Sequence, residues 1–252
     1  MTITPTTPQL RGATTDTLEA ANRGLRRSAL VAGFGLLVMA VLAAGANFGA
    51  IQRLVTEGDA TRTAKDVLAS EGLFRLGIAA LVVVVVLDIV VAWALWRFFA
   101  PVDTGVATLA AWLRLLYAAV FAVAIGQLLG ALRMLGDAKY LTAFSIDQRH
   151  AEALLKIHSF QDIWHAGLAL FGLHLVLIGY LAYKSSYVPR LLGVLVVIAG
   201  AGYLLDSFAG LLVANYSFSV AAVTAIGEVF LMLWLLVKGR NITLKGGGLS
   251  PC

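Results

Sequence analysis

Cysteine is almost missing from this chain: the single thiol, Cys252, is the last of 252 residues. No internal disulfide can form, and a terminal cysteine with nothing after it is not a prenylation signal. Charge is scarce as well. Charged residues make up 13% of the sequence, about half the roughly 25% usual for soluble domains. Proline is limited to five residues, and two of them, Pro101 and Pro189, stand at links between apolar runs. The chain has four histidines: His150, His158, His165 and His174. There is no Walker loop, no Rossmann glycine pattern, no kinase signature, no HExxH and no nucleophile elbow. The net charge of +5 comes from basic residues scattered through short loops. That pattern does not make the stripe a nucleic acid would need, so the expected partner is a lipid bilayer rather than nucleic acid.

What is abundant is apolar surface, at 60% of the residues. Six runs are long enough to cross a bilayer, which takes roughly 20 helical residues: 28–50, 73–99, 106–135, 158–183, 191–213 and 219–237. The expected fold class is all-α, a polytopic integral membrane bundle of six transmembrane helices. Residues 1–27 read as a polar tail, 28–237 as the transmembrane domain, and 238–252, with three consecutive glycines, as a flexible tail. The first run is preceded by a long leader and is about as long as a full span, so it is expected to stay as an anchor rather than be cleaved near Ala44–Ala46. Two links carry helical signals: 56–72, expected on the membrane surface, and 145–160, with Ser145 or Asp147 as N-cap and a run straight into the fourth crossing.

Basic residues set the orientation. With the N-terminus inside, the inner face collects Arg11, Arg23, Arg26, Arg27, Arg97, Lys184, Arg190, Lys238, Arg240 and Lys245. The outer loops hold Arg53, Arg62, Lys65, Lys139, Arg149 and Lys156. The positive-inside rule then gives both termini inside, and a bacterial plasma membrane as the location.

Ionisable residues inside such runs are costly and are expected to face the bundle interior. They are Asp88, Arg114, Asp162, His165, His174, Asp206 and Glu228. At about 1.5 Å per helical residue, Asp88, Arg114 and His174 share an inner layer, and Asp162, His165, Asp206 and Glu228 an outer one. Three readings follow. Asp162 and His165 can ligate a metal, with Asp206 and Glu228 supplying the other ligands of a metal-dependent intramembrane hydrolase. Alternatively Asp88, Arg114, His174 and Tyr203 form a charge-balanced structural network. In the third reading the polar set, Asp88, Arg114, His174, Tyr203, Asp206 and Glu228, binds a small molecule or a proton in a carrier. Asp88 and Asp206 lie equally far into the second and fifth runs, as in an inverted repeat. No motif names a cofactor or a reaction.

Three stretches resemble a known family: "SEGLFRLGIAALVVVVVLDIVVAWALWRFFAPV" (70–102), "WLRLLYA" (112–118) and, most specifically, "LFGLHLVLIGYLAYKSSYVPRLLGVLVVIAGAGYLLDSF" (170–208). They resemble the bacterial multi-pass membrane family known as domain of unknown function four-three-eight-six, over about 28–237. The resemblance implies a helical membrane fold and carries no activity with it. Its matching positions include Arg114, Gly172, His174, Gly179, Gly193, Tyr203, Asp206 and Ser207. His158, Asp162 and His165 fall outside its pattern.

Overall fold

A computed structural model describes residues 7–213, 216 and 218–242, with side chains from Glu19 onward. The described residues are helical and contain no strand. The helices are α1 (Thr7–Ala44), α2 (Ala60–Ala69), α3 (Glu71–Phe99), α4 (Thr104–Leu135), α5 (Ile146–Lys184), α6 (Arg190–Leu212), α7 (Ala221–Thr224) and α8 (Ile226–Val237). Five of the helical segments are long and apolar enough to cross a membrane. The sixth apolar segment, Ala221–Val237, is shorter and broken at Ala225. α1 extends back to Thr7, so helix replaces most of the polar leader; residues 1–6 and 243–252 lie outside the described residues.

Local chemistry fixes the helix ends. Asp103 follows Pro101 and accepts from the Val106 amide at 3.0 Å, which starts α4 in the turn that closes α3. Ser145 and Gln148 form a reciprocal capping box, and α5 runs from it without interruption to Lys184, as the sequence predicts. At about 1.5 Å per residue, this 39-residue helix is nearly twice as long as a bilayer core is thick. Its first turns project beyond the apolar slab and support the links. Arg149 bonds the Met134 and Gly136 carbonyls and so closes the end of α4. His150 meets Thr61 at 3.4 Å, and His158 lies 3.8 Å from Glu57. The 56–72 link thus packs on the protein: Thr63, Ala64 and Val67 of α2 are buried.

Without a hydrophobic drive between helices in lipid, close approach depends on small residues. The seam between α5 and α6 is built this way. A Cβ on Gly172 would stand 2.8 Å from the Gly200 carbonyl, and one on Gly179 2.7 Å from the Gly193 carbonyl. Each pair is reciprocal, and the pairs are seven residues apart on both antiparallel helices. The next step of the same register brings the Ser207 hydroxyl to the His165 carbonyl at 2.9 Å. Gly126 on α4 differs from these glycines: the space around it is open.

α1 wedges between α3 and α8. Gly35 lies under Val91, Gly33 lies under Leu235 and Leu236, and the Arg26 guanidinium reaches the Ile242 carbonyl at 2.8 Å. α1 ends in a π-helical stretch, Gly45–Ile51, which buries Asn47. Much of the outer surface is made of exposed large apolar side chains such as Phe34, Leu76, Val86 and Trp112, a surface suited to lipid contact.

Candidate functional site

α3, α4 and α5 each bring one polar side chain to the bundle axis. Arg114 is the largest fully buried residue, and Asp88, Arg114 and His174 are each 1% exposed. Arg114 Nη2 lies 2.8 Å from Asp88 Oδ1, an ion pair without hydrogen-bond alignment. Arg114 Nη1 and His174 Nε2 are 3.2 Å apart, and His174 Nδ1 is 2.8 Å from the Ala110 carbonyl. The tautomer follows from those partners. A carbonyl can only accept, so Nδ1 carries the hydrogen; a guanidinium can only donate, so Nε2 presents its lone pair. His174 is therefore a neutral strut between the α4 backbone and Arg114. The guanidinium also lies 5.3 Å from the centroid of the Phe171 ring and 3.9 Å from the Met39 sulfur.

Asp88, Arg114, Met39 and Phe171 line a cavity of about 290 Å³, with His174 behind the guanidinium. All five long apolar segments and the shorter sixth supply part of its wall: Met39 from α1, Asp88 from α3, Tyr117 from α4, Leu168 from α5, Tyr203 from α6 and Glu228 from α8. Most of the lining is apolar. Several of the buried polar atoms have no hydrogen-bond partner: both Asp88 oxygens, Arg114 Nε and Glu228 Oε1.

A larger cavity of about 690 Å³ adjoins it, and Leu168, Tyr203 and Ala225 line both. The outer cavity is walled by Asp162, His165 and Asp206. Asp206 is fully engaged there. Its carboxylate accepts from the Tyr216 hydroxyl (2.7 Å), the Ser219 hydroxyl (3.0 Å) and the amides of Val220 (2.9 Å) and Ala221 (2.8 Å). It gathers Tyr216, Ser219 and the start of α7. The Asp206 hydrogen bond holds the Tyr216 phenol above its usual range, because it must keep its proton to donate.

The structure therefore brings Asp88, Arg114 and His174 together and sets Tyr203 between the two cavities. It moves Glu228 out of the expected outer layer and into the inner chamber. The reason is the break at Ala225: α8 begins only at Ile226, and Gly227 is seated against the Leu195 carbonyl of α6. Asp162, His165 and Asp206 share a cavity wall, but no group of three His, Cys, Asp or Glu residues among the described residues is placed to hold a metal ion. Asp88 and Asp206, matched by their depth in the sequence, have unlike surroundings: an ion pair in the core and a helix cap at the periphery. Sequence reasoning misses Met39 and Phe171 at the guanidinium and the Leu168–Ala225 partition. These are apolar residues on apolar helices, with nothing in their spacing to mark them.

The match to a family model decides the relationship. Residues 31–239 match the Domain of unknown function (DUF4386). The chain belongs to the DUF4386 family. A relative in Archaeoglobus fulgidus, described as an uncharacterized protein, is 32% identical over 169 residues, which is 66% of this chain and 85% of the relative. No solved structure matches the chain significantly. The DUF4386 match covers five of the apolar segments whole, most of the first, and all the charged groups of the inner chamber.

Proposed function

We propose that this DUF4386 protein is a six-crossing carrier of the plasma membrane, with both termini inside, whose central chamber binds a small ligand and a proton. One observation carries the reading: all six apolar segments converge on one 290 Å³ cavity whose polar atoms are only partly partnered. That volume is at the lower end of small-molecule sites, about 300–1,000 Å³. A purely structural polar network satisfies its buried atoms. Here Asp88 Oδ2, Arg114 Nε and Glu228 Oε1 are left for water or a ligand. The outer cavity, sharing the Leu168, Tyr203 and Ala225 partition, supplies an approach to the chamber. The break at Ala225 favours the same reading, since interrupted helices form the binding sites of many carriers. As the sixth crossing, Ala221–Val237 spans about 25 Å at helical rise, close to the bilayer core. A metal-dependent hydrolase would need a third ligand beside Asp162 and His165, and nothing in the described residues favours it.

The test uses the shortage of thiols. In a Cys252→Ser background, Ala225→Cys and Met39→Cys place single thiols at the partition and in the inner chamber. A small water-soluble methanethiosulfonate, added to sealed vesicles, is expected to modify both, from one face of the membrane only. No reaction at Met39→Cys from either face would leave the chamber closed to aqueous solutes and sink the carrier reading.

A further inference from the structure

The charges around the inner chamber select among ligands. Arg114 is the cation of the site, and most of its donor capacity is already engaged: one terminal nitrogen with His174, the other with Asp88 and Met39, and a ring face against Phe171. Only Nε is without a partner. The carboxylates are in the opposite position. Asp88 meets Arg114 through Oδ1 at 2.8 Å, its Oδ2 has no partner, and the residue is 1% exposed. Glu228 has no ion pair among the described residues, and its Oε1 is sealed from solvent without a partner.

Taken as ionised groups, Asp88 and Glu228 against Arg114 leave the chamber one negative charge in excess. His174 adds none, since its two partners fix it as neutral. The other titratable groups on the wall are the phenols Tyr117 and Tyr203. From α1 and α5 the lining is apolar: Leu36, Met39, Ala40 and Ala43, with Leu168 and Phe171. A ligand that fits must therefore bring one positive charge and hydrogen-bond donors to the carboxylates, and an apolar body to the rest of the wall. An anion would meet two carboxylates and a guanidinium already engaged.

We infer that the inner chamber is a site for a small organic monocation, an ammonium bearing an apolar group, with Glu228 as its principal counterion. This rests on the chamber reading above and adds the charge and class of the ligand. Phe171, Tyr117 and Tyr203 line the same chamber, and aromatic rings attract cations. Glu228 stands in the first turn of α8, and its carboxylate has the Tyr203 phenol beside it, with no basic side chain at ion-pair distance among the described residues. It can therefore take up an incoming cation without breaking an existing ion pair.

The test is calorimetric titration of the full chain in lipid nanodiscs with three probe series. Each series matches an ammonium with its neutral alcohol and its carboxylate on the same hydrocarbon: methyl, n-butyl and cyclohexyl. In at least one series the ammonium is expected to bind at least tenfold more tightly than the alcohol, with the carboxylate weakest. Glu228→Gln should cut ammonium affinity at least tenfold and leave the alcohol within twofold, and Glu228→Asp should restore most of the preference. Equal or tighter binding of the alcohol or carboxylate in every series overturns the inference, whether or not the variants fold. So does an ammonium affinity in Glu228→Gln within twofold of the parent. If an alcohol binds and Ala225→Phe abolishes that binding, the chamber reading survives and only the charge assignment falls. If no probe in any series binds, both fall.

Discussion

A guanidinium sealed in an apolar bundle persists only because its charge is answered, and here Asp88 and His174 answer it. Removing one member of a buried pair leaves the other uncompensated, at about 3–5 kcal/mol. Arg114→Met is therefore expected to lower the melting temperature in detergent sharply. The double variant Arg114→Met with Asp88→Asn should recover much of the loss. Equal melting of the single and double variants would mean the ion pair is not what holds this part of the fold. Asp206 is a different kind of acid, half-buried at the periphery, and its oxygens secure the link to α7. Asp206→Asn is expected to cost on the order of 1–2 kcal/mol, the scale of a lost cap. Its bond from Tyr216 also gives a pH signature. The Tyr216 phenol is raised in the folded chain, so the stability it contributes is complete below its ordinary value of about 10 and fades as pH rises through the higher folded value. Tyr216→Phe should shift the alkaline unfolding midpoint downward, and ultraviolet titration should lose one late-ionising tyrosine. An unchanged midpoint would assign that bond no part in stability. Arg114, Asp88 and His174 are legible as one layer in the sequence, because a fixed helical rise converts residue counts into depth. Glu228 is not, since its depth depends on where a broken helix restarts.

At the scale of the helix, the pairing of α5 with α6 is written in glycines. Gly172→Ala or Gly200→Ala forces a methyl against a facing carbonyl, and overpacking of this kind costs about 1–3 kcal/mol. Gly126→Ala is the matched control. Its surroundings are open, and alanine is the better helix former by roughly 1 kcal/mol, so it should be neutral or stabilising. Thermal melts of the three variants separate the cases, and destabilisation by Gly126→Ala would remove the packing explanation. The six apolar runs and the Ser145 start of α5 are readable in advance, because hydropathy and capping act locally. The seating of α2 against α5 is not, because an amphipathic helix carries the same pattern whether it lies on lipid or on protein. The role of Asp206 is hidden for a related reason: its partners are amides ten or more residues away, brought close by a link whose course no periodicity announces.

For the whole molecule, the proposed arrangement of both termini inside predicts that Cys252 stays unlabelled when intact cells are treated with an impermeant maleimide and reacts once the membrane is opened. Labelling of intact cells would reverse the orientation or remove one crossing. The wall of the chamber has a further consequence. Two of its sides come from α1 and α8, which are far apart in sequence but pack together and are joined also by Arg26 and the Ile242 carbonyl. A ribosome releases α1 well before α8. The nascent protein therefore leaves Asp88 and Arg114 without the α8 wall until that helix has been made. A protein stalled before Ile226 would present this charge pair on an open flank.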